Sequence, residues 1–259
     1  MNAFGGKIKK EEDFIKILQG IGRIINHPAT GPIYIKGIKK GEAIAVSIKR
    51  IRLSGDFFQC VSYSTGVMPG FQNKRNCKIY KNNPFLLIGK TKVKIEANLG
   101  YIATAWIKNT SCTRAGASGG NMDFVQLKEG SIVHLPVYHD GAFLALGDVH
   151  AVQGEGEISG TGAETDAFVT VIVNKSHFCV SYPVIETQKD LLVVGYGRNL
   201  KTAIKKAVIN ALDFLNRQMK SRPEDEYLLL GLSGNITLGN STGSVKTAAI
   251  KFQKNICVN

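Results

Sequence analysis

The sequence predicts an α+β protein that is mainly β, in which a barrel- or sandwich-like β domain carries C-terminal helices packed on a sheet. Short segments rich in valine, isoleucine, phenylalanine and tyrosine recur until about residue 194, separated by glycine, asparagine and aspartate turns. A clear amphipathic helical pattern follows only after residue 199. The 259 residues are expected to form one domain, with a candidate sub-boundary near residues 175–190.

The strands are predicted from β-branched and aromatic content, and alternation places every second side chain on the same face of a sheet. They are expected at Pro32 to Ile38, Ala43 to Leu53, Lys92 to Ile95, Tyr101 to Ile107, Ile132 to Tyr138, Phe143 to Leu146, Ala167 to Val173 and Leu191 to Val194.

Three helices are predicted, the first over the segment Glu11 to Gln19. The second begins with Asn199 as its N-cap and presents one apolar face. That face consists of Leu200, Ile204, Ala207, Val208, Ala211, Leu212 and Leu215. The third has Pro223 in its first turn, where its missing N–H costs nothing, with Ser221 and Glu224 as a capping box.

The net charge of +13 lies entirely in the first half of the chain. Residues 1–130 hold 21 of the 33 basic and 8 of the 20 acidic side chains. The excess of basic side chains is spread over predicted strands, where alternation directs lysines to solvent. The sequence contains no nucleic-acid recognition motif. We therefore do not expect a nucleic-acid partner.

Membrane insertion and secretion are not expected either. There is no apolar run long enough to span a bilayer, and residues 1–7 lack the apolar core of a signal peptide. The five cysteines are scattered and form no Cys-x-x-Cys pair, which favours reduced thiols and argues against a cysteine zinc site. The expected location is the cytoplasm.

The stretch from Glu129 to Asn174 contains seven carboxylates and no lysine or arginine, so another cation is expected to neutralise it. On an extended segment Asp148 and His150 point to the same side, and oxygen and nitrogen donors suit zinc or another divalent metal. The alternative is that Asp148 opens a turn after Gly147 and that His150 is an ordinary residue at a barrel edge.

Motifs around these residues resemble the acetamidase/formamidase family in three places along the chain. The central text is Gly119-Gly120-Asn121-Met122-Asp123, His134-Leu135-Pro136-Val137, Gly141-Ala142, Gly147-Asp148-x-His150-Ala151-x-Gln153-Gly154-Glu155-Gly156-Glu157, Gly160-Thr161 and Glu164-Thr165. The early text is Ala29-Thr30-Gly31-Pro32-Ile33-Tyr34 with Gly37, and the late text is Val194-Gly195-Tyr196-Gly197-Arg198-Asn199-Leu200.

This resemblance implies a metal-dependent amidohydrolase that converts a small linear amide, formamide or acetamide, to the carboxylic acid and ammonia. It implies a divalent metal ion, with zinc as the first candidate and calcium as the second, and a homodimer. The matching metal ligands are Asp123, Asp148 and His150.

Glu157 is the predicted general acid/base, and its alternative role is that of a structural carboxylate accepting backbone N–H groups at a turn. Asn121 or backbone N–H groups are expected to stabilise the oxyanion. Supporting or substrate-proximal positions are Glu155 and Glu164, which are expected to orient His150 or a water molecule, and Gln153.

The chain also departs from the family pattern. The text that aligns with the family near Phe4 to Ile8 begins at the initiator methionine, so the chain is expected to be N-terminally short, and Ser118 stands where the family commonly has a histidine or another large residue. Residues Gly66 to Pro84 match poorly. The alternative function is therefore a binding or structural protein that keeps the fold and the metal but has lost or changed catalysis.

Overall fold

Two antiparallel β-sheets share one hydrophobic core in the part of the chain that the structure describes. The structure is a computed structural model, and it describes residues 29–61, 64–71, 76–81, 83–219 and 221–257. The helix predicted at Glu11 to Gln19 lies outside the described residues.

The first sheet has five strands and carries most of the candidate functional residues. Its order is β1 (Ala29–Ile33), β11 (Leu144–His150), β7 (Asn98–Ala103), β9 (Gly119–Asn121) and β8 (Ala115–Gly116).

The second sheet has seven strands. Its order is β12 (Ala167–Lys175), β2 (Ala43–Leu53), β10 (Ile132–Pro136), β13 (Val184–Glu186), β14 (Asp190–Gly197), β16 (Lys246–Gln253) and β15 (Asn235–Leu238). Two further hairpins pair β3 (Phe57–Val61) with β4 (Asn76–Tyr80) and β5 (Phe85–Ile88) with β6 (Thr91–Lys94). A short 3-10 helix follows β16 at Lys254–Cys257.

The layers are joined by side chains that alternate along the central strands. Ile102 of β7, Leu144 of β11 and Leu192 of β14 meet in the core between the two sheets. Val193 of β14 points the other way, into a second cluster with Phe214 of the helix α1 (Leu200–Met219). The seven-stranded sheet is therefore covered on both faces, and the predicted mainly β class, with C-terminal helices on a sheet, is confirmed.

Helix α1 begins as predicted, because the Asn199 side-chain oxygen accepts the Thr202 backbone N–H at 2.9 Å. Its buried face is only partly the predicted one: Ala207, Ala211 and Leu215 are buried, whereas Leu200, Ile204, Val208 and Leu212 are half-buried. A Cβ added to Gly195 of β14 would lie 2.1 Å from the Ala207 nitrogen. The helix thus lies so close to β14 that its smallest side chains face the strand.

Helix α2 (Pro223–Ser233) starts with the expected proline, but the predicted capping box is wrong. The N-cap is Arg222, which makes no side-chain cap bond, so Ser221 stands one residue too early to cap the helix. Its hydroxyl instead donates to the buried Glu226 carboxylate at 2.9 Å.

Several strand bounds also differ from those predicted. The strand expected at Pro32 to Ile38 is β1, which ends at Ile33, before a turn in which Gly37 has a φ of 86°. Among the described strands, eight were not predicted, namely β3, β4, β5, β8, β9, β13, β15 and β16.

Reduced thiols were expected throughout, and this is wrong for Cys60, which is disulfide-bonded. The prediction was based on the spacing of the cysteines along the sequence, which does not determine how close they lie in the folded chain. Among the described residues, no helix combines the length and apolar character needed to cross a bilayer.

Candidate active site

Strand β11 brings Asp148 and His150 to one side of the five-stranded sheet. Gly147 pairs with Tyr101 and Val149 with Leu99, so Asp148 lies opposite Gly100 of β7. The alternative in which Asp148 opens a turn is wrong, because the strand continues to His150, and β11 lies between two neighbours rather than at an edge. His150 Nε2 is 3.9 Å from Asp148 Oδ1.

Asp123 joins these two residues from the segment after β9. Each of the three offers one ligand atom, and these atoms all lie within 4.8 Å of one another. A Cβ added to Gly100 would lie 2.5 Å from Asp148 Oδ2, 2.6 Å from Asp123 Oδ1 and 2.8 Å from His150 Cε1. A glycine therefore leaves open the space that the three side chains surround, and two carboxylates with one imidazole fit a divalent first-row cation.

A second group shares the same histidine. His150 Nε2 is 3.2 Å from Glu164 Oε2 and 4.0 Å from Glu157 Oε1, and the ligand atoms of these three residues also lie within 4.8 Å of one another. One nitrogen lone pair binds one ion, so the two groups are alternative positions for a single cation rather than two simultaneous sites. Glu164 also accepts bonds from Thr161 Oγ1 at 2.9 Å and the Gly162 N–H at 3.1 Å.

Two amides hold the Asp123 carboxylate in place. Oδ2 accepts from Asn121 Nδ2 at 2.8 Å and from Asn240 Nδ2 at 2.6 Å. The oxygen of Asn240 accepts the backbone N–H groups of Thr242 and Gly243, so its amide nitrogen must face Asp123. Asn240 was not predicted as a site residue. The pattern Asn-x-x-Gly is typical of a turn, but nothing in the sequence shows that this turn faces a residue 117 positions away.

The Asn121 side chain was predicted to stabilise an oxyanion, and in the structure one of its two amide N–H groups is taken by Asp123. Its role as a donor to an oxyanion stays a prediction, and it would fall to the amide N–H that does not bond Asp123. The exposed Glu155 does not join the cluster, because its carboxylate accepts a bond from Gln126 at 2.7 Å.

The imidazole of His150 is confined on several sides. Gln153 donates to the Asp123 carbonyl oxygen at 3.3 Å and accepts from Asn98 Nδ2 at 2.6 Å, and Asn98 Nδ2 lies 3.4 Å from His150 Nδ1. A Cβ added to Gly162 would lie 2.7 Å from the ring carbon Cδ2. Asn98, Gly100 and Gly162 were not predicted as site residues.

Burial and neighbouring charges shift the pKa of His150 in opposite directions. Burial alone would lower its pKa, but the carboxylates of Glu164, Asp148 and Asp123 outweigh burial and hold the pKa of His150 well above its ordinary value. Because metal ligation requires a neutral imidazole, a cation must displace this proton to bind.

Glu157 lies in a turn with a left-handed backbone, φ 46°, and its side chain is buried. Burial, followed by the negative charge of Asp123, raises the pKa of Glu157 to about 9. Within the described residues no backbone N–H donates to this carboxylate, which argues against its alternative role as a structural acceptor.

A cavity of about 170 Å³ opens directly beside Glu157. Its wall includes Gln153 and Gly162, which contact Asn98 and His150, and the remaining wall is largely apolar. A larger depression of about 370 Å³ lies between β2 and Lys128 and contains none of the candidate residues. Of these two cavities, the smaller one therefore adjoins the candidate site.

Comparison with known proteins identifies a family for this chain. The model of the acetamidase/formamidase family matches residues 67–239, a range that includes every predicted site residue. Acetamidase from Yersinia enterocolitica superimposes with a TM-score of 0.87 at 26% identity, over 99% of this chain and 82% of that one. Acetamidase from Bacillus halodurans gives a TM-score of 0.85 at 28% identity, over 88% and 79%.

Curated relatives match over shorter segments. Formamidase from Methylophilus methylotrophus is 27% identical over 121 residues, which cover 38% of this chain and 30% of that protein. The matched segments of the curated relatives span between 11% and 30% of their lengths. The family match covers well over half of the chain, and the chain therefore belongs to the acetamidase/formamidase family.

Proposed function

We propose that this protein hydrolyses a small linear amide to the carboxylic acid and ammonia. The observation that carries the proposal is the convergence of Asp123, Asp148 and His150 around a space that Gly100 leaves open. Glu157 adjoins this group, with its Oε1 4.0 Å from His150 Nε2, and it also lines a cavity. Both solved relatives named above are acetamidases and the curated one is a formamidase, which supports an amide as the substrate.

Asp123, Asp148 and His150 would hold a divalent cation, with zinc as the first candidate and calcium as the second. When bound, such an ion polarises a carbonyl and makes water more acidic. The Asn240 and Asn121 amides bond one oxygen of Asp123 and leave the other directed at the space beside Gly100. This fixes the carboxylate before a ligand arrives, so little reorganisation is needed.

Glu157 is the proposed general acid/base. As water adds to the amide carbon, the Glu157 carboxylate accepts a proton from it; as the C–N bond breaks, the same group returns the proton to nitrogen, which leaves as ammonia. Its raised pKa applies without a cation; the positive charge of an ion held beside Asp123 would lower that pKa and favour the carboxylate. One amide N–H of Asn121 is the proposed donor to the developing oxyanion.

The experiment is ammonia release from formamide and acetamide by the full-length protein, loaded with zinc or with calcium. We expect Glu157→Gln to lower kcat by about 10²–10⁴-fold, because it removes the proton acceptor, while bound metal stays unchanged. Glu155→Gln is the matched control, since Glu155 is exposed and bonds Gln126; it should retain activity.

A stoichiometric bound ion without ammonia release above a metal-only blank would support the alternative, a family member that binds but does not catalyse. Undiminished metal in both Asp148→Asn and His150→Ala would place the ion elsewhere. A homodimer is also part of the proposal, supported by the exposed Leu228 and Leu232 of α2 and Ile236 of β15. Sedimentation velocity tests the oligomeric state.

A further inference from the structure

The cavity beside Glu157 has an apolar wall that formamide and acetamide do not need. The apolar lining residues are Leu86, Ile88, Val93, Val152, Ile158 and Ala163. At ~30 Å³ for each water-sized group, a volume of about 170 Å³ accommodates five or six such groups. Formamide has three non-hydrogen atoms and acetamide has four, so either would leave part of this wall uncovered.

One side of this wall belongs to the β5–β6 hairpin. Leu86 and Ile88 are two residues apart on β5, so their side chains lie on the same face of the strand. Val93 is the cross-strand partner of Leu86 on β6. Leu86 is buried in a cluster with Ala151 and Ala163, which lie on either side of the segment that carries Glu157. The hairpin is therefore packed onto the site and is part of its wall.

The mouth of the cavity is apolar as well. Ile88 on the hairpin is 45% exposed, and Ile158, which directly follows Glu157, is 66% exposed. An alkyl chain that enters between these two side chains would cover their exposed apolar surface. Burial of that surface favours binding, and a ligand without an alkyl group cannot provide it.

We propose that the β5–β6 hairpin forms an acyl pocket, and that the preferred substrate is an aliphatic amide of about three or four carbons rather than formamide or acetamide. This rests on the proposed amide hydrolysis. The alkyl chain lies against Leu86, Ile88 and Val93, which places the amide carbon at the Glu157 end. Ile88 is the residue at the mouth that sets the length of the chain.

The first test is kcat/KM for acetamide, propionamide, butyramide, valeramide and hexanamide. Burial of each added methylene is expected to raise kcat/KM about fourfold. Butyramide should then exceed acetamide by roughly tenfold or more, with no further gain once the chain outgrows the cavity.

The second test is Ile88→Trp, with Leu87→Trp as the matched control. Leu87 precedes Ile88 on the same strand but lies on the opposite face and does not line the cavity. We expect the larger ring at position 88 to remove the preference, so that the ratio of kcat/KM for butyramide to kcat/KM for acetamide falls from roughly tenfold or more to about one. The same ring at position 87 should leave the ratio unchanged.

Calorimetric titration of butyramide and acetamide into Glu157→Gln, with and without Ile88→Trp, gives a readout that needs no turnover. Hydrolysis of acetamide with an equal kcat/KM for butyramide would overturn the acyl pocket and leave the proposed function standing. Tighter binding of butyramide that Ile88→Trp removes, without hydrolysis of any amide by the unmodified protein, would keep the pocket and overturn the proposed function.

Discussion

Asp123, Asp148 and Glu157 hold their carboxylates on left-handed backbone, with φ of 55°, 57° and 46°. Among the described residues only two other non-glycine residues, Ala142 and Phe143, have this conformation. It costs a residue with a Cβ on the order of 1–2 kcal/mol. Backbone bonds such as Asp123 N–H to the Gly100 carbonyl keep it in place, so the surrounding strands hold the acidic side chains at an energetic cost.

Gly100 offers the sharpest test of the proposed metal position at the scale of one residue. A methyl group there would occupy the space between Asp123, Asp148 and His150. We expect Gly100→Ala to lower zinc affinity by about 100-fold or more, measured by titration calorimetry, because it displaces ligands as well as filling the space.

The control for this substitution is Gly116→Ala. A Cβ at Gly116 meets nothing within 4 Å, so the added methyl should leave zinc affinity as it is. Equal affinities in the two alanine variants would mean that the ion lies outside the space beside Gly100.

Part of this site could be predicted from the sequence. Asp148 and His150 were predicted from their spacing on one strand, and Asp123 and Glu157 from the resemblance to the family. The structure brings the four residues together, and their roles remain proposals. Asn98 and Gly100 could not be found in this way, because their place depends on the register between β7 and β11. That register depends on the pairing of the whole sheet and not on the local sequence of either strand.

At the scale of elements, strand β11 shows why local patterns mislead. The β-branched and aromatic content predicts a strand only from Phe143 to Leu146, whereas the metal hypothesis places Asp148 and His150 on an extended segment. Hydrogen bonding to β7 continues the strand to His150 despite the left-handed Asp148. By contrast β2 has the predicted bounds, Ala43–Leu53, since long alternation defines it unambiguously. Strands of two or three residues, such as β8, carry no comparable pattern.

The contact between β14 and α1 gives a prediction about stability. A Cβ at Gly195 would lie 2.1 Å from the Ala207 nitrogen and 2.4 Å from the Ala203 carbonyl oxygen, both of them backbone atoms. Gly195→Ala must push the helix away from the sheet, and we expect it to lower the free energy of unfolding by about 1–3 kcal/mol or more in urea denaturation.

Gly231 in α2 is the matched position for this experiment, since a Cβ there meets nothing within 4 Å. Gly231→Ala should be neutral or stabilising by up to about 1 kcal/mol, because alanine loses less backbone entropy in a helix. Loss of stability at position 231 equal to that at position 195 would show that the close approach of α1 is not the cause.

At the scale of the whole molecule, His134 links distant parts of the chain. Its Nδ1 is 2.8 Å from Ser176 Oγ and its Nε2 is 3.0 Å from Glu186, which also pairs with Lys254. These four residues join β10, the segment after β12, β13 and the C-terminal 3-10 helix. Burial disfavours the imidazolium and, although Glu186 partly offsets it, lowers the pKa of His134 below its ordinary value.

This arrangement predicts a pH dependence of stability. Below pH 6.5 the unfolded chain binds a proton at His134 before the folded protein does, so this contribution is complete above pH 6.5 and is lost as pH falls. We expect the free energy of unfolding, measured in urea with EDTA from pH 7.5 to 5.5, to fall more steeply in the unmodified protein than in His134→Gln. One proton gives a difference in slope of at most about 1.4 kcal/mol per pH unit.

Other groups titrate over the same range with the opposite sign. The raised pKa values of His150 and Glu157 add stability that is lost as pH rises, so only the difference between the two proteins isolates His134. Parallel slopes would show that His134 does not resist protonation in the folded state.

Because the left-handed backbone at the three acidic positions is strained, thermal stability and the proposed activity make opposite demands on these residues. Glycine adopts that backbone without strain and asparagine adopts it readily, and neither carries a negative charge that must be buried. A library selected only for survival at high temperature should therefore accumulate glycine or asparagine at Asp123, Asp148 and Glu157. Laboratory evolution toward durability would erase the site unless each round also selected for turnover.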